Sequence, residues 1–218
     1  MRDTDSIVAL AFRWDVPSYD VPAEDLASYK KSVSPVFKEA RKSAKPERCL
    51  ICGEEMPKFC VSHTVPRYCL KEIAADGKLL TNAAIMGGNV IENEVGVGQA
   101  ATFKQVCRKC DSEYFKLYET PETLLEPLSS QVLGQIAAKN LLREISKARF
   151  EIELKAALGE MAAPMLDALI TSRVIDAAEN EKAFKTALRV GKTPRPSNTF
   201  HLMFHMVLPY TALLPFNR

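Results

Sequence analysis

The chain has 218 residues, 47% of them hydrophobic and 26% charged, and a formal net charge of +2. These are ordinary values for a globular protein, long enough for one large domain or for a small module plus a second unit. The near-neutral charge neither demands nor excludes nucleic acid. No apolar run reaches the length of a membrane span, and the start Met1-Arg2-Asp3-Thr4-Asp5 is too acidic for a secretory signal, so a cytoplasmic protein is expected.

Residues 6–14 form a short apolar, partly β-branched run that stops before Pro17, which predicts a strand. Residues 23–44 are helical in composition, but Pro35 lies among them, so two short helices or one kinked helix are expected. The second half of that stretch carries Lys38, Arg41, Lys42 and Lys45, with Arg48 just beyond it. It reads either as a solvated helix face or as a contact for a phosphate backbone.

Six cysteines follow, and in a reducing compartment they point to metal rather than disulfides. Four of them form two knuckles, Cys49-Leu-Ile-Cys52 and Cys107-Arg-Lys-Cys110. Each knuckle presents two sulfurs on one side of a tight turn, and zinc favours four tetrahedral ligands of this kind. A structural Zn2+ on Cys49, Cys52, Cys107 and Cys110 is therefore expected. A rival set exists, because Cys60-Val-Ser-His63 has ligand spacing of its own; Cys49, Cys52, Cys60 and His63 would close a site while orphaning the second knuckle. Otherwise Cys60 and Cys69 read as small buried hydrophobes.

Between the knuckles, residues 58–63 predict a strand leading to His63. Pro66 predicts the start of a helix through Tyr68, Leu70, Ile73 and Ala74, closed by Asp76-Gly77. Residues 81–101 have the asparagine and glycine content of a loop or hairpin. After the second knuckle, residues 111–119 predict a short helix that Asp111 is suited to cap, and Thr120-Pro121-Glu122 signals another start. Phe115 and Tyr118 read as core rather than as base-stacking residues.

Helical spacing of Val132, Ile136, Leu141, Ile145, Ile152 and Leu158 predicts a long helix over 129–158. A second, over 164–190, would end near Gly191 and Pro194, and the two suggest an antiparallel hairpin. The apolar tail 198–215 reads as a strand interrupted at Pro209, on which His201 and His205 share a face in a structural role. The chain stops soon after this strand and could be part of something longer. The expected organisation is an N-terminal strand and helical segment (1–44), a zinc module (45–120) and a mainly helical region with a C-terminal strand (121–218), an α+β protein overall.

The order Cys49-x-x-Cys52, Ser62-His63-x-x-Pro66-Arg67 and Cys107-x-x-Cys110-Asp111 resembles the zinc-stapled HNH endonucleases, in their divergent Ser-His-x-x-Pro-Arg branch. The resemblance covers residues 45–120. It implies a treble-clef, ββα-metal module that hydrolyses phosphodiester bonds in DNA, or less often RNA. His63 would be the general base, since an imidazole with an ordinary pKa near 6.5 can accept a proton from water at neutral pH. Asp111, in the position after the last knuckle, would bind a catalytic divalent metal, Mg2+ or Mn2+, with Glu119 as a candidate second ligand. Arg67 would steady a phosphate through its planar fork. The resemblance also implies a setting in mobile elements or in defence against phage and other foreign DNA.

The chain departs from that pattern in three places. Ser62 stands where active members often carry an Asp or His metal ligand, and Asp111 stands where they carry His or Asn. The asparagine that orients the histidine is replaced by Thr102-Phe103-Lys104-Gln105, leaving Asn82, Asn89 and Asn93 as substitutes. A second reading is therefore a non-catalytic zinc module that binds nucleic acid or a protein. The helical region would serve dimerisation, partner binding or target sensing.

Overall fold

The computed structural model describes residues 23–80, 94–158 and 164–193. The strands expected over 6–14 and 198–215, together with His201, His205, Asn82, Asn89 and Asn93, lie outside the described residues. In chain order the elements are α1 (Ala23–Ser43), β1 (Ser62–His63), α2 (Arg67–Ile73), β2 (Lys78–Leu80) and β3 (Glu94–Gly96). There follow β4 (Thr102–Phe103), α3 (Arg108–Tyr114), α4 (Pro121–Leu124), α5 (Ser130–Leu158) and α6 (Pro164–Lys192). The protein is thus α+β, with small antiparallel strand pairs, a four-cysteine cluster and a pair of long helices after them. Among the described residues no helix is long and apolar enough to cross a membrane.

α1 runs unbroken through Pro35. The proline removes the bond to the carbonyl of Lys31, but Lys31 and Pro35 are both exposed, so water can satisfy that carbonyl. The strand expected over 58–63 shrinks to Ser62 and His63, which pair with Phe103 and Thr102. Ahead of it the chain keeps one tie to the facing segment, from Cys60 N to Val106 O at 3.0 Å. Asp76-Gly77 does not close α2, which ends at Ile73. Instead Ala75 and Lys78 exchange both backbone hydrogen bonds, at 3.0 and 2.9 Å, across those two residues. Asp76 and Gly77 have φ of 51° and 73°, the left-handed backbone that a two-residue hairpin turn demands. The turn feeds β2 into its pairing with β3, so part of the asparagine- and glycine-rich stretch is a hairpin.

α5 and α6 are antiparallel. Gln131 Nε2 reaches Lys192 O near one end, and Arg149 pairs with Glu181 at 2.8 Å further along. They can lie close because Gly134 and Gly191 meet at the crossing, where a Cβ on Gly134 would fall 2.5 Å from Gly191 N. The Tyr114 hydroxyl, carried in by α3, donates to Leu188 O at 3.0 Å beside the same crossing. α1 packs on α5, with the rings of Phe37 and Phe150 5.8 Å apart and the Arg41 guanidinium over both.

One core joins the two halves. Cys49, Phe59, Phe103, Val106, Cys107, Tyr114 and Phe115 from the module pack with Ala138, Leu141, Leu142, Ile145, Phe184 and Ala187 from the helical pair. Phe115 and Tyr118 are buried, as core residues should be. A smaller apolar cluster of Leu70, Val97 and Ala100 lies under α2 and the β2–β3 pair.

Candidate functional site

The four knuckle sulfurs lie within 4.8 Å of one another, and Cys49, Cys52, Cys107 and Cys110 are the one such group of metal-binding side chains among the described residues. Zinc–thiolate bonds of about 2.3 Å place tetrahedral sulfurs roughly 3.8 Å apart, so a small contraction closes a zinc site. The first knuckle turns back through Gly53 N to Cys49 O at 2.8 Å, with Gly53 at φ 77°. The second forms the N-cap of α3, where Cys107 Sγ accepts from Cys110 N at 3.4 Å. Leu50 N bonds Gln105 O at 3.1 Å and Cys107 N donates to Cys49 Sγ at 3.3 Å, which clamps the knuckles together. Burial works against a thiolate at Cys49, but amides of Cys52, Cys107 and Ile51 outweigh it and bring its pKa down to about 7. Amide donors thus favour a thiolate at Cys49, whereas burial foremost, with the neighbouring sulfurs, pushes the Cys110 thiol up, and that of Cys52 is raised as well. Cys60 lies apart: its sulfur meets Ser62 Oγ and Val106 O, each at 3.3 Å, and burial keeps its thiol protonated. The rival set of Cys60 and His63 with the first knuckle is not assembled.

The two side chains of β1 leave the strand in opposite directions, as a strand requires. His63 is half-buried, and its Nε2 lies 3.2 Å from Val97 O. A carbonyl only accepts, so Nε2 carries the proton and Nδ1 is left as the acceptor. A backbone carbonyl thus orients the ring, the task expected of an asparagine. Arg67, exposed at the first position of α2, approaches the next residue: its Nη2 would lie 3.9 Å from a Cβ on Gly98. His63 and Arg67 thus reach neighbouring residues of one turn, Val97 and Gly98.

Ser62 points the other way, and its hydroxyl donates to Asp111 Oδ1 at 2.5 Å. Asp111 is not the cap of α3, a place Cys107 holds, but lies one turn inside it. The Lys139 ammonium, on α5, stands 3.5 Å from the same Asp111 oxygen and bonds Glu119 as well. The Lys139 side chain is 0% exposed, against 19% for Asp111 and 38% for Glu119. It also sits 4.6 Å from the centre of the Phe115 ring. This arrangement does not fit a divalent cation at Asp111. Both carboxylates are paired to a buried ammonium, Ser62 spends its proton on Asp111, and His63 faces away. Asp111 and Glu119 are brought together, but around Lys139 rather than around His63.

Two participants had no place in the sequence reading. Lys139 occupies an inward phase of α5, one turn from buried Gln135 and Leu142, and a lysine at that phase is the signal that could have found it. Val97 acts through its backbone, which no side-chain pattern reveals. No family model, curated protein or solved structure matches the chain.

Proposed function

We propose that the 45–120 module cleaves phosphodiester bonds in nucleic acid, DNA before RNA, with His63 as general base and Arg67 as the phosphate contact. The observation that supports this reading is that His63 reaches Val97 O and Arg67 approaches Gly98, neighbouring residues of one turn in the module that carries the four-cysteine cluster. His63 Nδ1 takes a proton from a water molecule as the water oxygen bonds to phosphorus. The bond from phosphorus to the leaving sugar oxygen breaks, and that oxygen collects a proton from solvent. Arg67 offers two parallel N–H donors to the non-bridging oxygens. Exposed Lys38 and Lys45, running toward the first knuckle, supply further positive charge for the backbone, whereas Arg48 is paired with Glu55.

A non-catalytic module that binds nucleic acid or a protein is favoured by one specific observation, the engagement of Asp111 and Glu119 by Lys139. Plasmid cleavage by the full chain separates the two, run with and without Mg2+ or Mn2+ and compared with His63→Ala. Cleavage lost by a factor of about 100 to 10,000 in His63→Ala, with zinc content retained, supports the enzyme. Wild-type protein that holds its zinc and binds DNA or RNA without cutting either, under every metal condition, leaves the binding module.

A further inference from the structure

We propose that the Lys139 ammonium takes the place of a divalent cation beside Asp111, so that this centre carries a cation of the protein's own and takes up no magnesium or manganese. The inference rests on the proposed function only for where such a metal would stand, between the residue before the histidine and the residue after the last knuckle. Those residues are Ser62 and Asp111, and they touch, at 2.5 Å. A metal there would need lone pairs from both oxygens. Ser62 instead gives its proton to Asp111, and the positive charge comes from Lys139 Nζ at 3.5 Å.

The surroundings are those of a held cation. Glu119 supplies a second carboxylate, the Phe115 ring supplies its negative face at 4.6 Å, and no part of the lysine side chain reaches solvent. A buried ammonium persists when it is paired in this way. Its charge repels any second cation at hydrogen-bond distance from Asp111, and burial of the lysine side chain weakens solvent screening of that repulsion. The lysine comes from α5, outside the zinc module, so the helical region completes this corner of the module. Unlike a metal, the ammonium cannot be chelated or exchanged.

Mn2+ binding tests the inference without nucleic acid, on the full zinc-loaded chain, by the paramagnetic resonance signal of free Mn2+ during titration. Wild type is expected to show no saturable site at millimolar Mn2+. Lys139→Met removes the charge and keeps most of the volume. It frees two carboxylates that solvent already touches, and is expected to gain one Mn2+ per chain, bound at least about tenfold tighter than any wild-type uptake. Adding Asp111→Asn to Lys139→Met should abolish the gain. Lys139→Gln serves the same purpose should the methionine variant fail to fold, as judged by circular dichroism and zinc content. The inference is overturned by a folded, zinc-loaded charge-removed variant that binds no more Mn2+ than wild type. It is equally overturned by wild type binding one Mn2+ that Asp111→Asn removes, a result independent of any Lys139 variant. Neither outcome bears on whether His63→Ala stops cleavage, so the two proposals fail separately.

Discussion

Gly134 and Gly191 meet backbone to backbone, with the Gly191 amide nitrogen 2.5 Å from the point where a side chain on Gly134 would begin. The first carbon of any other residue would have to push α5 and α6 apart. The Tyr114 hydroxyl fills the other side of Gly191 and donates to Leu188 O at 3.0 Å, so three elements share one tight crossing.

Gly134→Ala should therefore destabilise the protein although alanine favours helix. Overpacking of this kind costs about 1–3 kcal/mol, against roughly 1 kcal/mol gained in propensity, so a lowered melting temperature is expected by circular dichroism. Gly191→Ala collides with the Tyr114 hydroxyl. Combining it with Tyr114→Phe should cost less than the two single changes added together, because the phenylalanine removes the nearer of the two colliding atoms, the hydroxyl oxygen, and leaves the ring carbon at 2.9 Å. Simple additivity would show that the two residues do not share this contact.

Zinc should follow the four knuckle cysteines and ignore Cys60. Cys110→Ser is expected to lose zinc and unfold the module, whereas Cys60→Ser keeps one zinc per chain by metal analysis. A chelator should melt the wild type cooperatively, since a structural zinc contributes on the order of 10 kcal/mol to folding. The core that holds Cys49 and Cys107 also holds Leu142 and Phe184, so loss of metal should loosen the helical pair as well. Hydrogen exchange at residues 137–145 reads that coupling.

The basic side chains should act on nucleic acid as charges rather than as readers of sequence. Lys38 and Lys45 are exposed; Arg48 is exposed but paired with Glu55, and Arg41, also exposed, stacks on Phe37 and Phe150. Lys38→Gln and Lys45→Gln should each weaken binding similarly on unrelated sequences, and each should lower the log–log salt slope by about 1. Arg41→Gln should instead lower stability, through lost packing on the two rings.

Much of the architecture was legible in local pattern. Paired knuckles predict four convergent thiolates because each knuckle is a self-contained turn. The long helices announce themselves by period and by Gly191 at the end. The short elements were less legible. Asp76-Gly77 suits a helix stop and a hairpin turn equally, and the choice falls to β3, which gives β2 a partner. Pro35 suggested two short helices or one kinked helix, and a single helix forms because a solvated face leaves its missing hydrogen bond to water. Asp111 fits a cap by type, yet Cys107 takes that place through its sulfur.

What the sequence determined by itself was each cysteine knuckle, each of the two long helices and the presence of His63 between the knuckles, because each depends on residues close in the chain. Tertiary structure alone decided what those residues meet. Val97 O orients His63 from 34 residues away, and Lys139 closes on Asp111 from a helix beyond the module. Neither contact leaves a local signature, since one partner is a backbone carbonyl and the other a single charged residue turned inward. The physical reason is that a hydrogen bond or an ion pair is made by proximity in space. Only packing α5 against the stapled module brings a buried ammonium to the carboxylate beside the last knuckle.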